Sequence, residues 1–246
     1  MNPRNSFFLL CCTALLFFFS SCGENTNNTS TAADADSTAN NAGTTTASTI
    51  VTSPETIMTV IHKVADFAKW KASFEAHDSM KLASGIHNYV IGRGVDDSNT
   101  LLVATKVDDI DKAKAFMKDP GLKAAMKQGG VIGTPSVMTL TTEVYQDTAT
   151  LSPGITRSLT TFTVKDWDAW KKVFESHRQT RLDNGITDRV YGYDVDDNHK
   201  VSLVVAVNDT AKARAFWTSD LLKQQRAESG VTSQPQRFLF RVVQRY

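Results

Sequence analysis

The chain has 246 residues, 41% of them hydrophobic, enough to build one large domain or two small ones. Its 27 basic and 26 acidic side chains leave a formal charge of +1, so no long-range field draws it to DNA, RNA or an anionic bilayer, and nucleic acid is set aside as a partner. The three cysteines, Cys11, Cys12 and Cys22, all fall at the start, which leaves the rest without disulfides, zinc-thiolate sites or cysteine nucleophiles.

Arg4 lies in a short basic region, and an apolar run follows from Phe7 to Phe19. The run is too short to span a bilayer and is organised like a secretory signal. Phe19-Ser20-Ser21-Cys22 resembles the lipobox of bacterial lipoproteins. The resemblance implies a signal peptide over residues 1–21, acylation of Cys22 with palmitate-type chains, and a lipid-anchored protein of the bacterial cell envelope, on the outer membrane or the periplasmic face. Ordinary cleavage with a free Cys22 is the alternative. Each buried methylene of such chains adds about 0.8 kcal/mol, so several chains anchor firmly where one is marginal. Residues 22–55 are Asn, Thr, Ser and Ala with almost no large apolar side chain. Nothing there offsets the entropy of ordering, so the composition predicts a disordered tether reaching roughly 30 Å.

Beyond it the chain is written twice with an offset of 100 residues: Trp70, Lys71, Phe74, Glu75, His77, Leu82 and Gly85 recur as Trp170, Lys171, Phe174, Glu175, His177, Leu182 and Gly185. Residues 57–64 are β-branched and partly alternating, which predicts a strand. Asp66 then caps a helix running to Gly85, on which Phe67, Trp70, Phe74, His77 and Lys81 share one face. Trp167, Trp170, Phe174, His177 and Arg181 do the same in the second copy. Residues 86–95, an Asp-Asp turn and residues 100–107 read as a β-hairpin. A helix after Asp109, a helical turn from Pro120 and a strand over 135–145 complete the unit. The order βαββαβ predicts an α+β fold of two ferredoxin-like modules, 56–146 and 156–246, joined by a linker over 147–155. Such a sheet has helices on one face only, and Val201 to Val207 carries apolar residues of both parities, as strands buried on both faces do. The bare face of one module is therefore expected to pack on that of the other, as a pseudo-dimer within a monomeric chain.

The pattern D-[FW]-x-x-W-K-x-x-F-E-x-H, the V-D-D turn, K-A-[KR]-A-F and a late G-V followed by Pro resemble the dimeric α/β-barrel superfamily, in particular proteins grouped with antibiotic-biosynthesis monooxygenases and labelled cyclase-like. The resemblance covers residues 57–145 and 156–246. It implies that the two copies stand in for a dimer of single modules. It also implies a range of activities, from cofactor-free oxygenases of polycyclic aromatics to haem-binding enzymes, among which fold does not choose.

His77 and His177 are the candidate catalytic residues, because a titratable ring on an aromatic stripe can act as a general base. The structural alternative is a histidine satisfied by one backbone carbonyl. Trp70, Phe74, Trp170 and Phe174 are core residues that can wall a small-molecule pocket between helix and sheet. Gly92 and Gly192 mark a bulge or close approach and are assigned to the pocket. Tyr89, Arg93, Arg189, Tyr191 and Tyr193 are expected on the opposite strand face, for a ligand or for packing between sheets. Lys81 and Arg181 close the stripe with positive charge for an enolate or carboxylate, or snorkel to solvent. Asp96-Asp97 and Asp196-Asp197 read as turn formers rather than calcium ligands, no metal site has the required spacing, and no cofactor is expected.

Three functions remain open. The first is binding of a hydrophobic or aromatic small molecule without turnover. The second is a cofactor-independent monooxygenase or cyclase using a helix 1 histidine, and the third a non-catalytic docking module.

Overall fold

The computed structural model describes residues 48–246, the side chains of 138–140 and 142–144 excepted. The signal, Cys22 and most of the expected tether lie outside the described residues.

β1 is Ile50–Val51 and β2 Glu55–Val64; α1 (Phe67–Ala76), α2 (Asp78–Ala83), β3 (Ile86–Gly94), β4 (Thr100–Val107), α3 (Ile110–Phe116), α4 (Pro120–Gln128) and β5 (Val131–Asp147) follow. The order from β2 onward then recurs as β6 (Thr156–Thr163), α5 (Trp167–Ser176), α6 (Arg178–Asp183), β7 (Ile186–Asp194), β8 (Asp197–Val207), α7 (Thr210–Thr218), α8 (Asp220–Glu228) and β9 (Gln236–Arg245). The fold is α+β with one large antiparallel sheet.

That sheet has nine strands in the order β1-β5-β2-β4-β3-β9-β6-β8-β7, and a further β5–β7 pairing brings its two ends together. Eight strands thus close a ring with β1 outside it. The two halves share two seams, β3 with β9 and β7 with β5. Where two stacked sheets were expected, the edges are hydrogen-bonded as well, so each of the eight ring strands has a partner on both sides. The inner faces meet in one apolar layer that mixes Ile57, Val90, Leu102 and Ala104 with Leu159 and Phe240. Helices cover the outer faces through Ala113 and Phe116 in one half and Ala213 and Phe216 in the other.

Two expectations are corrected. The helix expected from Asp66 to Gly85 is two helices, broken at His77 (φ −102°, ψ 20°), with the same break at His177 (φ −93°, ψ 18°). The expected tether also reaches order before its boundary at 55: Ile50 pairs with Asp147 and Val51 with Gln146, two β-branched residues docked beside β5. Among the described residues no helix is long and apolar enough to cross a membrane.

Local chemistry accounts for the helix ends. The Asp66 and Asp166 carboxylates each accept a backbone N–H three residues on, at 2.7 Å. Gly185 ends α6 with φ +69°, and a Cβ there would sit 2.5 Å from the Asp209 Cβ that begins the next helix turn. Gly185→Ala therefore destabilises more than Gly133→Ala. Both meet about 1–2 kcal/mol of left-handed strain, but nothing lies within 4 Å of a Cβ built at Gly133. Equilibrium urea unfolding of the two variants checks the order.

Candidate functional site

Beneath α1 lies a cavity of about 90 Å³, lined almost wholly by apolar groups including Met58, Val60, Trp70, Phe74, Val103 and Phe116. Trp70 and Phe74, four residues apart on α1, stack at 4.9 Å between centroids and form its upper wall. A second cavity of about 100 Å³ lies beneath α5, where Trp170 and Phe174 stack at 4.8 Å. Of the predicted pocket residues, the first cavity gathers Trp70, Phe74, His77 and Lys81. The second gathers Trp170, Phe174, His177 and Arg181.

The two cations line these cavities, yet their charges are already committed. Lys81 is 6% exposed; its ammonium sits 3.2 Å from the Phe74 ring centroid and donates to Phe74 O (3.0 Å) and Asn88 Oδ1 (2.8 Å), beside Asp78 (2.7 Å). Arg181, 7% exposed, stacks on Phe174, donates to Phe174 O and forks onto both oxygens of buried Asp188 at 2.7 and 2.6 Å. Neither snorkels and neither is open to a substrate anion. Each instead takes a carbonyl from the last turn of the helix that ends at the histidine, where a positive charge is favoured.

The paired histidines differ. His77 is half-buried and its Nδ1 donates to Ser73 O at 2.6 Å, which leaves the Nε2 lone pair as acceptor. His177 lies with Nε2 3.8 Å from Glu228 on α8, where the first half has Gln128.

The more telling imidazole is His62 on β2, which the sequence reading did not single out. It lines the first cavity, is 7% exposed, and neither ring nitrogen has a hydrogen-bond partner. Burial pushes its pKa down from 6.5 to about 4, so the ring is neutral at pH 7. Its ring centroid lies 5.4 Å from that of Trp70, tilted 50°. One hundred residues on, Phe162 lies 5.5 Å from Trp170, tilted 55°. The same aromatic pose is filled by a phenyl ring in one half and an imidazole in the other. That histidine-for-phenylalanine difference was the available signal.

Gly92 and Gly192 do not join the helix-side cavities. A β-bulge between Asn88 and Val90 turns both Tyr89 and Val90 inward and shifts the parity beyond it, so Gly92 faces Phe240 in the ring interior, where a Cβ would come within 2.4 Å of that ring. The matching bulge between Asp188 and Val190 places Gly192 on the seam with β5, paired with Glu143. For the same reason Arg93 lies over the Phe67 ring (4.4 Å), and Tyr191 and Tyr193 pack on Trp167, on the helix side. Tyr89 and Arg189 do face inward. Asp97 accepts from Asn99 N and Thr100 Oγ1, as a turn former does, and Asp196 pairs with Lys114 at 2.7 Å. Among the described residues no three His, Cys, Asp or Glu side chains are grouped to hold a metal.

No family model and no curated protein matches the chain. Solved structures do. A provisionally named monooxygenase from Fusobacterium nucleatum matches with a TM-score of 0.50 at 12% identity, over 79% of this chain and 94% of that one. A provisionally named monooxygenase from Lactobacillus acidophilus matches with a TM-score of 0.46 at 12% identity, over 77% and 93%. A provisionally named chlorite dismutase gives 0.49 at 14% identity, over 77% and 95%. At such identities the likeness is one of fold: an α+β chain with a large antiparallel sheet of the dimeric α/β-barrel type.

The committed cations give a test of their structural role. Arg181→Met strands buried Asp188 as an unpaired charge and costs about 3–5 kcal/mol. Lys81→Met costs less, because its partner Asp78 is 44% exposed and stays solvated. Urea unfolding at neutral pH measures both.

Proposed function

We propose that the cavity beneath α1 binds a small, flat, apolar molecule with one acidic hydrogen, and that the chain acts on it as a cofactor-independent, monooxygenase-like enzyme. The observation that carries this reading is His62: a neutral imidazole with two unpartnered nitrogens in an otherwise apolar cavity. Leaving such a group unsatisfied costs about 1–3 kcal/mol, and Phe162 fills the equivalent place without that cost. A ligand O–H or activated C–H is the partner the ring lacks.

In this reading His62 takes the proton, the anion left beside it offsetting the burial that holds the ring near 4 in the empty cavity, with the His77 Nε2 lone pair as a second acceptor on the α1 side, and the stacked Trp70 and Phe74 cover one side of the ligand ring. The resulting anion is electron-rich enough to react with dioxygen directly. One oxygen atom enters the substrate and the other leaves as water with the two hydrogens the substrate gives up, so no external reductant is consumed. At about 90 Å³ the cavity is smaller than the engineered cavity of about 150 Å³ that holds benzene, so it excludes the polycyclic compounds that the family resemblance suggests, and a single ring enters as the flexible Met58, Met80 and Met117 side chains give way. The second cavity, with Phe162 at this position, supports binding without turnover.

The remaining parts of the reading concern architecture and address. The two halves act as tandem ferredoxin-like modules that together replace a dimer, supported by the repeated element order and the two seams. Cys22 carries the lipid that tethers them to the envelope, supported by the lipobox-like Phe19-Ser20-Ser21-Cys22.

His62→Phe stabilises the protein by about 1–3 kcal/mol at pH 7 and lowers oxygen uptake with single-ring phenols by about 10²-fold or more, while His177→Phe leaves uptake unchanged. Uptake by the His62 variant at the wild-type rate would sink the assignment. Stability also reports the ring. With the folded pKa near 4 and the unfolded value at 6.5, the unfolded chain gains the proton first. Wild-type stability then falls as pH drops below 6.5, by about 2 kcal/mol at pH 5, and the Phe variant lacks this loss.

Cys22→Ser abolishes incorporation of a palmitate analogue and releases the protein from the membrane fraction. Unchanged labelling would refute the anchor.

A further inference from the structure

A third cavity, of about 70 Å³, lies inside the strand ring and is separate from both helix-side cavities. Its walls are apolar, with Ile57, Val90, Leu102, Leu159, Val204 and Phe240 among them, but one end carries Arg157, Arg189 and Arg245. All three arginines come from the second half. The first half has Ile57, Tyr89 and Tyr145 at the equivalent positions, so a repeated structural need does not explain them.

Arg189 is 3% exposed. Its Nη2 donates to Ala149 O at 2.6 Å, and Nη1 lies 3.2 Å from Asp147 Oδ2, near enough to share charge but not aligned to donate; its Nε has no partner. The Arg157 Nε is likewise buried and without a partner. Asp147 is the only carboxylate among the described residues that line the cavity, and it also accepts from Thr49 Oγ1 and Ala149 N. One half-used carboxylate thus faces three guanidinium groups. Burial, with the neighbouring Arg245 and Arg189 charges adding to it, pushes the Arg157 pKa down to about 10.

We propose that this interior cavity is a binding site for a small organic carboxylate with an apolar body. Its two oxygens take the buried N–H groups of Arg157 and Arg189, its tail lies against Leu102, Leu159 and Phe240, and exposed Arg245 stands at the mouth. A planar guanidinium fork matches a carboxylate in geometry and charge, and the apolar walls select against a fully hydrated inorganic anion. The site is independent of the chemistry assigned to the α1 cavity.

The test is thermal unfolding and calorimetric titration of the full chain with propanoate, with propan-1-ol as the neutral counterpart and inorganic phosphate as the anion without a tail. Propanoate should raise the melting temperature saturably, and the alcohol and phosphate should not. Arg157→Gln should weaken propanoate binding by roughly tenfold to a hundredfold, the loss of one charged hydrogen-bonding partner. It should also raise the melting temperature of the ligand-free protein, since one buried charge is gone. A purely structural arginine would lower it instead. Arg245→Gln, at the exposed mouth, weakens binding without perturbing the fold, and His62→Phe leaves propanoate binding intact. No response to propanoate, an equal response to the alcohol or to phosphate, or a ligand-free Arg157→Gln protein less stable than wild type would each overturn the proposal.

Discussion

The hydrogen bonds along two seams, β3 to β9 and β5 to β7, set the terms for everything else in this molecule. Once those edges are joined, the inner faces have only each other to pack against, and an apolar layer drawn from both halves fills the ring. Helices can then lie only outside, and each α1-type helix must bridge its own sheet. The space between helix and sheet becomes a cavity because the wall is made of flat stacked rings, Trp70 on Phe74 and Trp170 on Phe174, which leave gaps that branched aliphatic side chains would close.

The break at His77 and His177 follows from the same geometry. A straight helix over the whole segment would carry its second half away from the sheet. The break lets Lys81 and Arg181 fold back beneath a phenylalanine ring and satisfy the carbonyl of that residue, holding the two short helices as one unit. What looked like a charge offered to a ligand is a brace. It keeps the aromatic wall at a fixed height above the strands, and that height determines how much room remains beneath it.

Much of this plan was legible in the residues. The offset of 100 matches the recurrence of the element order from β2–β5 in β6–β9, the Asp caps mark the helix starts, and the 3.6-residue stripe puts Trp70, Phe74 and His77 over one space. Three things were not legible. Bulges at Asn88/Val90 and Asp188/Val190 reverse strand parity, and alternation read from sequence carries no trace of them, so simple alternation puts Gly92, Arg93, Tyr191 and Tyr193 on the wrong faces. Whether Lys81 reaches solvent depends on Asn88 and Asp78 closing over it, a tertiary contact. His62 is not marked by the repeat, because a repeat marks the positions where the halves agree and His62 stands where they differ: a histidine against a phenylalanine, as three arginines stand against an isoleucine and two tyrosines.

That last contrast follows from having both halves on one chain. In a ring assembled from two identical polypeptides, any altered codon appears on both sides of the symmetry axis, so a polar group useful in one compartment is forced on the other. Covalent joining releases that constraint. Here one flank keeps an imidazole and the other supplies the guanidinium cluster of the interior, so the molecule holds two unlike compartments and a charged centre in a volume where a symmetric pair could offer only copies.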